Sequence, residues 1–361
     1  MTLVAAAAQA VRTALQRHLT GRLSTNGASF TRFVFGLPMA VVYLLALVAA
    51  GVGRLPSPGP IFWLWVVGAA LSQILATSLQ LHVMGSRNFA TAVAYAKTEV
   101  VQAAVFEAVF LGAFVSGVGA LGIALATVAV MLMSLVKTDR PLRAFLLGWT
   151  DPTALLGLLA GGLYGIAAVG FRAASVSLRD PSAFVAAAFT LVIATSIQTA
   201  VMAGYLATRE RGQIGRVFAN MRAGLLVGLA SAIGSVGWFT AFTLQIAAYV
   251  RTLGLVELVF TLLISLYAFR ERPGRFEVIG LGLLILSIAL VLNGGAMMRA
   301  HLRSTAPSTA GSTYRKYASP AAFGRRLASW TLLIALAGSP TGSRAKIRAS
   351  LGRRREGRSS M

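Results

Sequence analysis

Three carboxylates lie inside stretches that are otherwise soluble in lipid: Glu99, Glu107 and Glu257. An ionised side chain at mid-membrane costs about 2.5–3.5 kcal/mol on insertion scales, so each one calls for a cavity, a partner or a function. The chemistry open to such a carboxyl is to take up and release a proton as its surroundings alternate between wet and dry. Glu99 and Glu257 sit near the centres of their stretches, and so does the cation Arg12. At a rise of about 1.5 Å per residue, none of the three reaches water along its own helix. They are expected to face a cavity or one another. Arg32, His82, Glu107, Arg172 and Arg251 lie nearer the ends of their stretches and read as interfacial anchors.

Amides and hydroxyls accompany these charges at helical spacing. A step of about 100° per residue puts Gln102 beside Glu99 and Lys97 on the opposite side of the same helix. Lys97 therefore need not share their site. Gln9, Arg12 and Gln16 form one stripe; Gln73, Thr77 and Gln80 form a second; Thr195, Gln198 and Thr199 form a third. Polar stripes on apolar helices mark faces turned away from lipid. Hydrogen bonding between helices explains any one stripe, whereas several together favour an aqueous path. The candidate substrate and coupling residues are thus Glu99, Glu257, Arg12, Gln102, Lys97, Gln73, Thr77, Gln80 and Gln198. Tyr95, Tyr164, Trp238 and Tyr249 are available to line such a path, although packing is the simpler duty for each.

Other chemistries find little support. The chain has no cysteine, so thiolate metal sites, disulfides and thiol nucleophiles are excluded. His18, His82 and His301 are far apart in sequence, which argues against a histidine metal site. No GxSxG, HExxH or phosphate-binding loop is present, so no enzyme activity and no cofactor are expected. Transport driven by ATP is not expected of this chain alone.

The elements that position these residues follow from hydropathy. The 361 residues are 57% hydrophobic and 12% charged, about half the charge of a soluble domain. A helical span needs about 20 mostly apolar residues. Ten windows qualify: 3–20, 30–50, 61–83, 89–112, 117–136, 153–174, 183–206, 222–243, 247–268 and 276–297. The connections at 53–60, 84–88, 137–143 and 270–275 hold the helix breakers. Gly161–Gly165 and Gly224–Gly228 have the spacing of close helix contacts. Residues 299–361 differ: they carry 13 Lys+Arg and one Glu, +12 of the net +23. Their single apolar run, 327–338, is too short to span, and the segment reads as disordered or interfacial. The basic balance rests mainly on this tail, so membrane lipids are the expected partner and nucleic acid is not.

"AYAKTEVVQAAVF" (94–106) aligns with "AYVRTLGLVELVF" (248–260). Ala94, Tyr95, Thr98, Val105 and Phe106 meet identical residues, and Lys97 meets Arg251. The offset carries span four onto span nine, a displacement of five spans. Halves with an odd number of helices enter the membrane in opposite senses, which is an inverted repeat. The expected fold is an all-α membrane protein of ten transmembrane helices: 1–143 the first five-helix repeat, 144–298 the second, 299–361 the tail.

These segments resemble the drug/metabolite transporter superfamily, EamA type. The resemblance is carried by "RNFATAVAYAKTE" (87–99), by "AAYVRTLGLVELVFTLLISLYAFRERPGRFEVIGLGLLI" (247–285) and by Glu271 in "RERP". It covers about 1–298 and says little about cargo. Many members carry an acid just after the Leu-Gly closing span four, where this chain has Ala113. The resemblance implies a multi-pass protein of the plasma or inner membrane. It also implies alternating access for a small organic metabolite or drug-like molecule, with proton coupling and exchange both open. An integral membrane enzyme on lipid-linked substrates and a membrane scaffold or receptor are the alternatives. Oligomeric state is left open. The resemblance places both termini in the cytoplasm, and the basic tail agrees. The charged loops argue the other way, because Arg17, Arg22, Arg87, Lys137, Arg140, Arg143, Arg209, Arg211, Arg216, Arg270, Arg272 and Arg275 would then face outward and only Arg54 and Arg179 inward. The reading leans to cytoplasmic termini.

Overall fold

The structure, a computed structural model, describes residues 1–19, 22–84, 95–135, 152–178, 182–260 and 274–305. Most of the connections expected at 84–88, 137–143 and 270–275, with Ala94 and the basic tail from 306 on, lie outside the described residues, whereas the first residues assigned to the tail, 299–305, continue the last helix. Helices with short connections make up the described chain, and no strand occurs among the described residues. They are α1 (Thr2–Leu19), α2 (Thr25–Ala49), α3 (Pro60–Met84), α4 (Glu99–Phe106), α5 (Gly117–Leu135), α6 (Pro152–Ser177), α7 (Ala183–Arg209), α8 (Gln213–Ala219), α9 (Met221–Leu244), α10 (Ala247–Gly254) and α11 (Arg275–Thr305).

Local chemistry sets several boundaries. The Ser24 hydroxyl accepts from Gly27 N at 3.0 Å and caps α2. Ser182 does the same for α7, accepting from Val185 N at 3.4 Å. A π-helical turn, Glu107–Leu111, closes α4, and Gly112 ends it in the left-handed region with φ of 64°.

Among the described residues, six helices are long and apolar enough to cross a membrane: Thr25–Ala49, Pro60–Gln80, Pro152–Ser177, Ala183–Arg209, Met221–Leu244 and Phe276–Ala296. The chain is a multi-pass membrane protein. The other four windows are not among them, and windows four, five and nine each run partly outside the described residues. α1 carries Arg12 and Arg17 within its 18 residues. α5 is apolar throughout Gly117–Met133. Windows four and nine are not continuous helices. The first turns at 97–98 before α4 starts, and the second turns at Leu255 between α10 and the helical residues 256–260.

Packing alternates between the two parts of the chain. α3 lies along α6, α1 along α9, α2 along α7 and α9, and α5 along α11. α4 contacts α6 and α10, and α1 also contacts α10. Glycines permit these approaches. A Cβ on Gly161 would stand 2.6 Å from Ala96 O, and one on Gly228 would stand 2.6 Å from the Phe35 carbonyl carbon. Gly165 faces Ala103 N and Phe106, and Gly224 faces the Phe35 ring. Both expected glycine spacings thus lie at helix crossings. The outer surface is apolar, with Val42, Leu64, Leu121, Leu226 and Leu286 each exposed, as a lipid-facing surface should be.

Contacts between connections define two ends of the bundle. At one, Ser24 and Asn26 donate to Glu210, at 2.5 and 2.6 Å, so the α1–α2 connection meets the α7–α8 turn. At the other, Gly53 lies against Ser182 and Val185, so the α2–α3 connection meets the α6–α7 connection. Ser116, before α5, joins Tyr249 of α10, whose hydroxyl accepts from Ser116 N at 2.8 Å.

Candidate functional site

Each break places an acid in the first turn of the helix that follows. Glu99 opens α4, and Glu257 is the second residue of the helical segment 256–260. Free N–H groups and the helix dipole favour a carboxylate there, which offsets part of the cost of its depth. Arg251 occupies the last turn of α10, where a cation is favoured. Lys97 lies in the break before α4 itself. Thr98 closes the turn on Tyr95 O with both its backbone N–H, at 3.1 Å, and its hydroxyl, which donates at 2.6 Å.

The charges pair across the chain. Lys97 Nζ lies 2.7 Å from Glu257 Oε1. Arg251 Nη1 lies 3.8 Å from Glu99 Oε1. Glu257 also accepts from Gln9 Nε2 at 2.9 Å, and Gln9 Oε1 accepts from Trp238 Nε1 at 3.1 Å. Arg251 sits over three rings, with Cζ at 5.5 Å from Trp238, 5.5 Å from Phe242 and 5.9 Å from Tyr164. Arg12 lies within electrostatic reach of Glu257, Arg251 and Tyr164, and Arg32 within reach of Arg12 and Tyr164.

Tyr164 joins this ionic cluster to the α3 stripe. Its hydroxyl lies 2.7 Å from Gln80 Oε1 and 3.2 Å from Thr77 Oγ1. Gln198 Nε2 donates to Gln73 Oε1 at 2.6 Å and ties α7 to α3.

The structure therefore brings together Arg12, Lys97, Glu99 and Glu257 directly, with Thr77 and Gln80 joined through Tyr164. Gln73 and Gln198 pair with each other. Gln102 does not join the cluster. It donates to Thr98 Oγ1 at 2.8 Å and to Leu158 O at 3.3 Å, tying α4 to α6. Gln16 likewise serves helix contact, donating to Ala28 O at 3.0 Å. The separation of Lys97 from Glu99 expected from a helical wheel does not hold, because the helix is interrupted between them. Lys97 faces Glu257 and lies within electrostatic reach of Glu99.

Four residues expected as interfacial anchors are inside, Arg32 among them, within electrostatic reach of Arg12 and Tyr164. Arg251 belongs to the central cluster. Its alignment with Lys97 in the internal repeat was the signal that pointed there. Glu107 is 0% exposed, and Arg172 Nε lies 2.8 Å from its Oε1. Arg172 Nη1 donates to Phe242 O at 2.7 Å and to Gln245 O. Glu107 Oε2 accepts from Ala248 N at 3.4 Å. This pair clamps the α9–α10 junction: the guanidinium holds the carbonyls ending α9, and the carboxylate caps α10. Distance from a helix end in sequence said nothing about this, because other helices cover both side chains.

Among the described residues, no group of three His, Cys, Asp or Glu could hold a metal ion. No family model and no curated protein matches the chain. Among solved structures, the chain is similar to one described only as the crystal structure of a protein. The two share 16% identity over 81% of this chain and 96% of that one, with a TM-score of 0.59. At that identity the likeness is one of fold alone, so the arrangement of helices is one that another chain also adopts.

Proposed function

We propose that this chain is a secondary transporter of the plasma or inner membrane, carrying a small organic molecule by alternating access between two oppositely oriented five-helix halves. The observation that carries the proposal is the crossed ionic pairing at two broken helices. Lys97 of the first half meets Glu257 of the second, and Arg251 of the second meets Glu99 of the first. Broken helices with charged residues at mid-membrane are how transporters expose backbone and charge to a solute without exposing them to lipid.

The helix contacts support the two-half reading. Exchange α1 with α6, α2 with α7, α3 with α9, α4 with α10 and α5 with α11. The α3–α6 contact becomes α9–α1, α4–α6 becomes α10–α1, α3–α7 becomes α9–α2, and α2–α7, α4–α10 and α5–α11 map onto themselves. The connections support opposite orientation. The α1–α2 connection meets the α7–α8 turn, and the α2–α3 connection meets the α6–α7 connection. Equivalent connections of the two halves thus lie at opposite ends. The unequal pairs, 2.7 Å and 3.8 Å, suit a molecule held with one side tighter than the other. Glu99 and Glu257 are the carboxyls available for proton coupling, and exchange of solutes is the other mode.

Reconstitution tests this reading. Liposomes containing the protein are loaded with a cell metabolite extract, and release is followed by mass spectrometry. Time-dependent loss of a defined subset of compounds is expected, and Lys97→Gln should slow it. Release no faster than from protein-free liposomes for every compound would sink the transporter reading.

A further inference from the structure

The central cluster is not electrically balanced. Arg12, Arg32, Lys97 and Arg251 bring four cations, and the carboxylates Glu99 and Glu257 answer two of them. Among the described residues no further carboxylate reaches this cluster: Glu107 is held by Arg172, Glu210 by Ser24 and Asn26, and Glu277 lies at the exposed start of α11. The close ion pairs join Lys97 to Glu257 and Arg251 to Glu99, Arg12 shares Glu257 with Lys97 at longer range, and Arg32 has no carboxylate among its electrostatic neighbours, Arg12 and Tyr164. The Nε–H groups of Arg12 and Arg251 are buried and donate no hydrogen bond.

An uncompensated guanidinium deep in a membrane protein is costly, and a buried donor without an acceptor adds to the cost. Both costs are removed by one event, the arrival of an anion. From these observations we infer that the cargo is an organic anion, a carboxylate or phosphate carrying an apolar or aromatic body. Arg12 and Arg32 supply the charge, with Arg251 Nε as a further donor. A guanidinium suits this task because its planar N–H groups match a carboxylate or phosphate edge. Tyr164, Trp238 and Phe242 surround Arg251 and offer ring faces to the apolar part. Gln80 and Thr77, already joined to Tyr164, supply neutral polar contacts.

This inference names the cargo class for the transporter reading and rests on it, but binding and flux can be measured apart. Trp238 reports binding through intrinsic fluorescence of the full-length protein in detergent. The probes are phenylacetate, phenyl phosphate, the neutral phenylacetamide and the cationic phenethylamine. The expected result is that an anion binds at least about tenfold more tightly than the amide, the difference charge-assisted hydrogen bonds supply. Arg12→Gln should remove that preference, and Arg12→Lys should keep most of it. The Lys variant also shows that the position tolerates substitution. Equal or tighter binding of the amide or amine, or no response to either anion, overturns the anion site. Anion binding without anion flux in liposomes leaves the site standing and removes the transporter reading instead.

Discussion

At the scale of single residues, the two ionic arrangements do different work. Glu107 and Arg172 are almost wholly buried, and each also holds backbone groups at the α9–α10 junction. Arg172→Met leaves Glu107 buried beside no cation, and a cost of about 3–5 kcal/mol is expected, read as lost thermal stability in detergent. Adding Glu107→Leu should recover part of it, because the isolated charge is then gone. Lys97 and Glu257 retain 20% and 17% side-chain exposure, as a pair that opens should. Lys97→Gln and Glu257→Gln should each lower flux, and the double variant should cost less than the two combined. A coupling of about 0.5–3 kcal/mol in initial rates is expected, and strict additivity would show that the pair does not act as a unit. Glu99, Glu257 and Arg12 were legible in the sequence because charge in an apolar window is conspicuous. Arg32, Arg251, Glu107 and Arg172 lie deeper than their distance from a helix end implies, because their partners stand on other helices.

At the scale of elements, close crossings and breaks decide the geometry. A Cβ at Gly228 meets the Phe35 backbone and one at Gly161 meets the Ala96 backbone, neither of which can swing aside. Gly161→Ala and Gly228→Ala should each destabilise by about 1–3 kcal/mol through overpacking. Gly282→Ala, with nothing within 4 Å of its added methyl, should leave the melting temperature unchanged or raise it. Equal effects at the three positions would mean that the crossings are looser than described. Hydropathy made most windows legible, since lipid imposes apolarity over a whole span. It did not reveal the breaks. The turn at 97–98 contains neither Gly nor Pro, and Thr98 holds it locally through its N–H and hydroxyl, both donated to Tyr95 O. The acids follow the breaks, which accounts for Glu257 lying further along the repeat than the position aligned with Glu99.

At the scale of the whole molecule, charge distinguishes the two ends. The end holding the α1–α2 connection and the α7–α9 region exposes Arg22, Arg209, Arg211, Arg216 and Arg222. The opposite end exposes Arg54 in the α2–α3 connection. Lys and Arg within about 15–20 residues of a span weigh most in setting orientation, and the first helix usually dominates. Much of the basic tail is further from α11 than that. These weights reverse the lean toward cytoplasmic termini. They predict that the Arg216 end faces the cytoplasm and that the N-terminus, at the far end of α1, faces outward. The absence of cysteine makes the test direct. Arg216→Cys and Leu55→Cys each introduce one thiol at an exposed position in opposite end regions. In intact cells an impermeant maleimide should label Cys at 55 and leave Cys at 216 unlabelled until the membrane is opened. The opposite pattern would mean that the tail's charge outweighs the loops. Labelling of both in intact cells would mean that the chain inserts in two orientations, as a near-symmetric pair of halves permits.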